Sequence, residues 1–325
     1  MAPAGIPFAQ LACARPPSPE RLMDAQRTLR RQISCVGIGL HSGNKVNLTL
    51  KPAPADTGIR FRRTDVGGHE VPATVQHLAG IQLATGLSRN EVSVETVEHL
   101  LAALTSCGVD NVLVELNSPE VPIMDGSAAP FIYLIQEAGV KTLAARRKYL
   151  KIVRPIAISR GDKRIALYPS DHFKVTYSIS YDHPMLRHQS RTLRITEHSF
   201  AEELAPARTF TFLKDVEMMR QNGLALGGSL ENAIVLGETG ILNNALRFED
   251  EFVRHKILDA IGDLSLLGYP IVGHLEASKA GHALHTEFAG KILEETQSWR
   301  LVQSPLDVAA ALGAPVHDVA PRLAH

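Results

Sequence analysis

Apolar and polar residues alternate over 45–50, with Val46, Leu48 and Leu50 on one side, the period of a half-buried strand. Residues 33–36 and the turn Gly37-Ile38-Gly39 extend the same sheet-rich opening. Over 96–107 the period changes. Val97, Leu100, Leu101 and Leu104 recur at helical spacing, Thr96 stands where an N-cap belongs, and Gly108 follows the last turn. A strand is predicted over 109–116 and a second helix over 127–138, closed by Gly139. Asp125-Gly126 reads as the turn feeding that helix. Further on, strands are predicted over 150–158, 164–168 and 174–180, a helix over 248–267 ending at Gly268, and an apolar strand over 271–277.

Each half thus holds a histidine-bearing helix, a glycine stop and a returning strand: His99, Gly108, Val109, then His255, Gly268, Ile271. That order predicts two halves of similar architecture with a site between them. A chain of 325 residues exceeds the usual single-domain size. The basic run Arg146-Arg147-Lys148 marks the expected boundary between a first domain over 27–146 and a second over 147–305. Residues 1–26, with Pro16-Pro17-Ser18-Pro19, read as a flexible extension and 306–325 as a loose tail.

Composition narrows the function classes. Hydrophobic residues make up 45% and charged residues 21%, which excludes wholesale disorder. Thirty-four basic residues balance 34 acidic ones, so net charge points to no nucleic-acid partner. Cys13, Cys35 and Cys107 are too few and scattered for a disulfide framework, and a reducing cytoplasm is expected. No apolar run approaches the roughly 20 residues of a spanning helix, so a lipid substrate would need a groove. A monomer is expected.

The candidate chemistry concentrates on residues 248–263, where Val253, Ile257, Ala260, Ile261 and Leu264 share one side and His255, Asp259 and Asp263 fan over the other. A histidine and a carboxylate one turn apart can reach one ion, and a hydrolytic metal needs three protein ligands and an open position. Glu98-His99 offers a third ligand with a general base beside it. His282 follows Gly281, which would let the backbone approach the site closely. Alternatives stay open at this level: His255 and Asp259 as a solvated pair, His282 as a loop histidine, Asp263 as a surface carboxylate.

The longer segments Thr96-Val97-Glu98-His99-Leu100, Glu120-Val121-Pro122-Ile123-Met124-Asp125-Gly126-Ser127-Ala128-Ala129-Pro130-Phe131 and 248–263 resemble the signature segments of the UDP-3-O-acyl-N-acetylglucosamine deacetylases. Ala207-Arg208-Thr209-Phe210 and Ser278-Lys279-Ala280-Gly281-His282 resemble that family too, and the likeness spans about 27–302. The resemblance implies an α+β fold of two similar domains, each a β-sheet layered against α-helices, with the active site at the domain interface and an inserted element per domain. It implies a metal, zinc or else ferrous iron, on His99, His255 and Asp259, with Glu98 as general base. His282 would be the cationic partner of the transition state, Asp263 its orienting group, Thr209 a donor to the oxyanion, and Lys256 and Phe210 substrate contacts. An insert over 212–235, including Val216, Leu224, Leu226 and Ala233, would hold the acyl chain; these apolar residues also read as a small core.

The implied reaction is deacetylation of an acylated UDP-sugar, the committed step of lipid A synthesis. The stretch from Gly80 to Leu87 lacks the cysteine that some relatives carry, so no sulfur ligand is expected there. Two other readings compete. A phosphohydrolase would want a His-Asp dipeptide at the site, and the sequence offers only His317-Asp318 in the tail. A non-catalytic sugar-nucleotide or lipid-binding protein would have lost Glu98 or a ligand, and none is lost.

Overall fold

The computed structural model describes residues 25–80 and 83–303; Cys13, nearly all of the expected extension, His317-Asp318 and the tail lie outside them. The strand β1 (Ala25–Leu29) starts just inside that expected extension and pairs antiparallel with β9 (Val140–Arg146). Two hairpins follow it, β2 (Ile33–Ile38) with β3 (Lys45–Pro52) and β4 (Ile59–Arg63) with β5 (His69–Pro72). Between them enters β8 (Val112–Leu116), antiparallel to β3 and parallel to β4.

The second half builds the same five-stranded sheet. Its hairpins are β11 (Ile156–Arg160) with β12 (Lys163–Tyr168) and β13 (Lys174–Ile179) with β14 (Gln189–Arg194). The strand β18 (His274–Ser278) runs antiparallel to β12 and parallel to β13, the same placement as β8. A smaller sheet joins β10 (Tyr149–Ile152), β17 (Ile271–Val272) and β19 (Trp299–Val302).

Each half carries an insertion before its first main helix. In the first it is the hairpin β6 (Leu87–Arg89) and β7 (Val92–Val94), followed by α1 (Glu98–Ser106). In the second the short helix α3 (Glu197–Ser199) leads to β15 (Phe210–Phe212), α4 (Leu213–Gln221) and β16 (Ile234–Leu236), followed by α5 (Glu251–Leu264). After each central strand comes another helix, α2 (Ala129–Ala138) or α6 (His282–Glu294). The helix α2 lies against β2, α5 against β13 and β14, α6 against β11 and β12, and α1 against α5. This is the α+β fold of two sheet-and-helix halves.

The alternation of β3 places Val46, Leu48 and Leu50 fully inside, each worth roughly 1.5–3 kcal/mol of burial. Several expectations shift in detail. Thr96 does not cap α1: it sits at φ 57, rare for a β-branched residue, and its hydroxyl donates to Glu120 Oε1 at 3.1 Å. The strand expected over 150–158 is split between β10 and β11 around Pro155, which has no N–H for a ladder, and that over 271–277 breaks at Gly273. The helix expected over 248–267 ends at Leu264 and tightens into a 3-10 turn, Ser265–Leu267. Asp125 Oδ1 accepts from Ser127 N at 3.1 Å, a turn before α2.

The solvated alternatives for the second face of α5 are excluded. Every residue of α5 except Lys256 is buried, because the helix lies between its own sheet and α1 and α6. His255, Asp259 and Asp263 are therefore buried, and neither the solvated pair nor the surface carboxylate describes them.

Candidate active site

The site begins where α5 meets α1. At Gly262 an added Cβ would stand 2.1 Å from the carbonyl oxygen of Glu98, the first residue of α1. Only hydrogen fits. That approach brings the rings of His99 and His255 edge to face at 4.9 Å between centroids. A glycine inside a helical pattern is a sequence signal that points here. We expect Gly262→Ala to push the helices apart, lower stability by about 1–3 kcal/mol and reduce activity; an unchanged melting temperature would overturn this.

His255 Nδ1 donates to the carbonyl of Ala207 at 3.0 Å, which leaves the Nε2 lone pair free. Burial pushes the ring down to about 3, so it stays neutral. Its Nε2 lies 3.2 Å from Asp259 Oδ1, and His99 Nε2 lies 3.6 Å from the same oxygen. That oxygen is buried and has no hydrogen-bond partner, a costly arrangement unless something else binds it. The other carboxylate oxygen, Oδ2, accepts from Lys256 Nζ at 2.7 Å. Ligand atoms about 2.1 Å from a tetrahedral ion are separated by about 3.4 Å, which the two N···O distances bracket. His99, His255 and Asp259 thus fit a metal ion.

Glu98 is buried beside them, and burial raises its carboxyl above the usual range. Its Oε2 accepts from Thr85 N at 3.1 Å, leaving Oε1 for chemistry. His282 is the first residue of α6 rather than part of a loop. Gly281 precedes it in extended conformation (φ −157) with open space where a Cβ would be, so the expected close backbone approach is absent. His282 Nδ1 donates to Asp263 Oδ2 at 2.9 Å. Burial alone would lower His282, but the carboxylates of Asp263 and Asp259 outweigh it and raise the ring to about 9.

Asp263 is fully buried. Burial alone would raise it, but His282 and then His285 hold it at about 2, against 3.8 for a free side chain. A depressed folded value stabilises the fold above about pH 4, and the contribution, about 2 kcal/mol, is lost as pH falls through about 2. Between these limits the stability of the wild type should fall more steeply than that of Asp263→Asn. Equal slopes in acid unfolding would contradict the shift.

A cavity of about 440 Å³ opens over these groups, within the range of small-molecule sites. Thr209, Phe210 and Lys256 line it, as do Arg160 and Lys163 from the β11–β12 hairpin. Arg208 fixes the 207–210 segment by donating to the fully buried Glu251 through Nε at 2.9 Å, and Phe210 stacks edge-on to Phe252. Val216, Leu224, Leu226 and Ala233 are not among the lining residues. Leu226 is 56% exposed and α4 buries none of its residues, so these positions do not together form a small core.

The sequence reading missed other groups at the site. His41 lines the cavity with both ring nitrogens buried and unpartnered. Thr85, within the stretch from Gly80 to Leu87 noted only for lacking a cysteine, donates from Oγ1 to Asp263 Oδ1 at 2.5 Å. His285 and Tyr177 lie behind Asp263. Of these, only the His282, His285 spacing on one helix face was a readable signal.

The model of the family described as UDP-3-O-acyl N-acetylglycosamine deacetylase (LpxC) matches residues 26–294. Relatives named UDP-3-O-acyl-N-acetylglucosamine deacetylase are similar over nearly the same span. The protein of Syntrophotalea carbinolica is 48% identical over 86% of this chain and 91% of its own length. That of Pseudomonas entomophila is 50% identical over 86% and 94%, and that of Anaeromyxobacter dehalogenans 50% over 86% and 90%. The site and these matches lead to one conclusion: the chain belongs to the UDP-3-O-acyl N-acetylglycosamine deacetylase family.

Proposed function

We propose that this chain hydrolyses the N-acetyl group of UDP-3-O-acyl-N-acetylglucosamine, releasing acetate and UDP-3-O-acyl-glucosamine for lipid A synthesis. The observation that carries the reading is the unpartnered, buried Asp259 Oδ1 facing two histidine Nε2 atoms, with the Glu98 carboxylate beside them. Zinc, or ferrous iron, held by His99, His255 and Asp259 would acidify a water and polarise the acetamide carbonyl.

Glu98 Oε1 takes the proton of the attacking water, a role suited to a carboxyl raised by burial. The Thr209 hydroxyl donates to the developing oxyanion, a contribution that reaches about 3 kcal/mol for such donors elsewhere. His282, kept cationic by Asp263 and Asp259, faces the same charge. Glu98 and His282 are the two groups placed to return a proton to the departing amine.

Arg160 and Lys163 at the cavity rim suit the diphosphate, and Lys256 and Phe210 the sugar. The acyl chain takes the insert over 212–235, whose exposed Leu213, Met218, Leu226 and Leu230 offer apolar surface. We place the site between domains over 27–146 and 147–305, since His41, Thr85, Glu98 and His99 come from one and Thr209, His255, Lys256, Asp259, Asp263 and His282 from the other. No helix among the described residues is long and apolar enough to cross a membrane; a cytoplasmic monomer is our reading.

The test is acetate release from UDP-3-O-acyl-N-acetylglucosamine by the purified protein, before and after chelation and with zinc restored. Activity should vanish and return. No release with any acyl length, despite bound metal, would overturn the proposal.

A further inference from the structure

We infer that His285 and Tyr177 form a positioning relay that fixes the Asp263 carboxylate, and through it the ring of His282. The inference rests on the proposed function for its kinetic consequence only. Asp263 Oδ2 lies 2.9 Å from His282 Nδ1 and 2.8 Å from His285 Nδ1, while Oδ1 accepts from Thr85 Oγ1 at 2.5 Å. An ionised carboxylate only accepts, so both Nδ1 atoms carry hydrogen. This sets the tautomer of a neutral His285: Nε2 becomes an acceptor. The Tyr177 hydroxyl lies 2.8 Å from that atom and 2.9 Å from the carbonyl of Ala280, with one hydrogen for the two acceptors.

All three side chains, Asp263, His285 and Tyr177, are completely buried. A polar ring in such a place is unfavourable unless both nitrogens are paired, and a leucine would fill the volume without that demand. Here both nitrogens are paired, and one partner is the carboxylate that holds His282. The relay also has a rigid origin. Tyr177 belongs to β13, hydrogen-bonded on both sides in the second sheet, whereas His282 and Ala280 lie at the entry to α6. Tyr177 therefore ties that entry directly through Ala280 and indirectly through His285 and Asp263. Without His285, Asp263 loses one of three donors and the His282 ring loses its fixed angle.

The experiment uses the full metal-loaded chain and the variants His285→Leu, His285→Asn and Tyr177→Phe. For His285→Leu we expect kcat for acetate release to fall about 10- to 100-fold, as when hydrogen-bonded supports of a catalytic group are removed. KM should stay within about twofold and bound metal unchanged. His285→Asn, which keeps a side-chain N–H donor, should recover most of the loss, and Tyr177→Phe should lose about 2- to 10-fold, one hydrogen bond's worth. A merely structural role would lower the melting temperature and leave kcat of the folded protein intact. Wild-type kcat in His285→Leu, equal losses in the Leu and Asn variants, or a loss confined to KM would overturn the relay. Should His285→Leu not fold, an unchanged kcat in Tyr177→Phe does so.

Proton NMR gives a readout independent of turnover. Among its exchange-protected downfield imidazole N–H resonances, which include that of His255 bonded to Ala207, the wild type should show two from His282 and His285. His285→Asn should remove that of His285 and shift that of His282. A His282 resonance that does not move overturns the relay even in an inactive protein, whereas absence of acetate release by the wild type overturns the proposed function instead.

Discussion

Glu98→Gln should keep its metal and release acetate at least about 100-fold more slowly than the wild type, the usual contribution of a positioned general base. The amide is nearly isosteric with the carboxylate and its oxygen can still accept from Thr85 N, so the start of α1 should keep its shape. What is lost is the basic oxygen at Oε1. None of the three proposed ligand atoms belongs to Glu98, so metal measured after dialysis should equal that of the wild type. The comparison is of kcat at saturating substrate beside metal content by atomic absorption. Full activity would remove Glu98 from the role of base; loss of metal would make it a ligand.

His255→Ala should lose both metal and activity, with residual turnover below about 1% of wild type, because three protein ligands are the minimum for a hydrolytic ion. The remaining pair, His99 and Asp259, offers one nitrogen and one carboxylate across a 3.6 Å gap. The void left by the ring also removes its hydrogen bond to Ala207 and its edge contact with Phe210. Circular dichroism should show whether the chain still folds, and added zinc should restore little. A variant that holds stoichiometric metal and turns over normally would exclude His255 from the centre.

These two residues were legible in the sequence because each lies in a contiguous segment whose local period sets its direction. The spacing of His255, Asp259 and Asp263 is a property of one helix. Thr85 is different: it meets Asp263 across 178 residues of chain, from a stretch with no apolar period to fix its side. Tyr177 reads as one of several inward residues on a strand, and only the fold shows that its hydroxyl ends at His285. The loop-like placement of His282 failed for a related reason, since Gly281 precedes the first turn of α6 with no capping side chain to announce it. The strand expectations failed where Pro155 and Gly273 interrupt otherwise apolar runs. The repeated order of helix, glycine and strand did survive, because a sheet of this kind needs its central strand delivered by a crossover.

The shared strand order also sets a sequence of assembly. In each half both hairpins precede the strand that must enter between them, so each sheet has a gap until β8 or β18 arrives. During synthesis the first sheet can close once Leu116 has emerged, whereas the second must wait for Ser278. His282 and His285 follow that last strand, so a ribosome-bound chain can display His99 long before anything exists to oppose it. With the site as proposed, catalytic competence is withheld until almost all of the described chain is made.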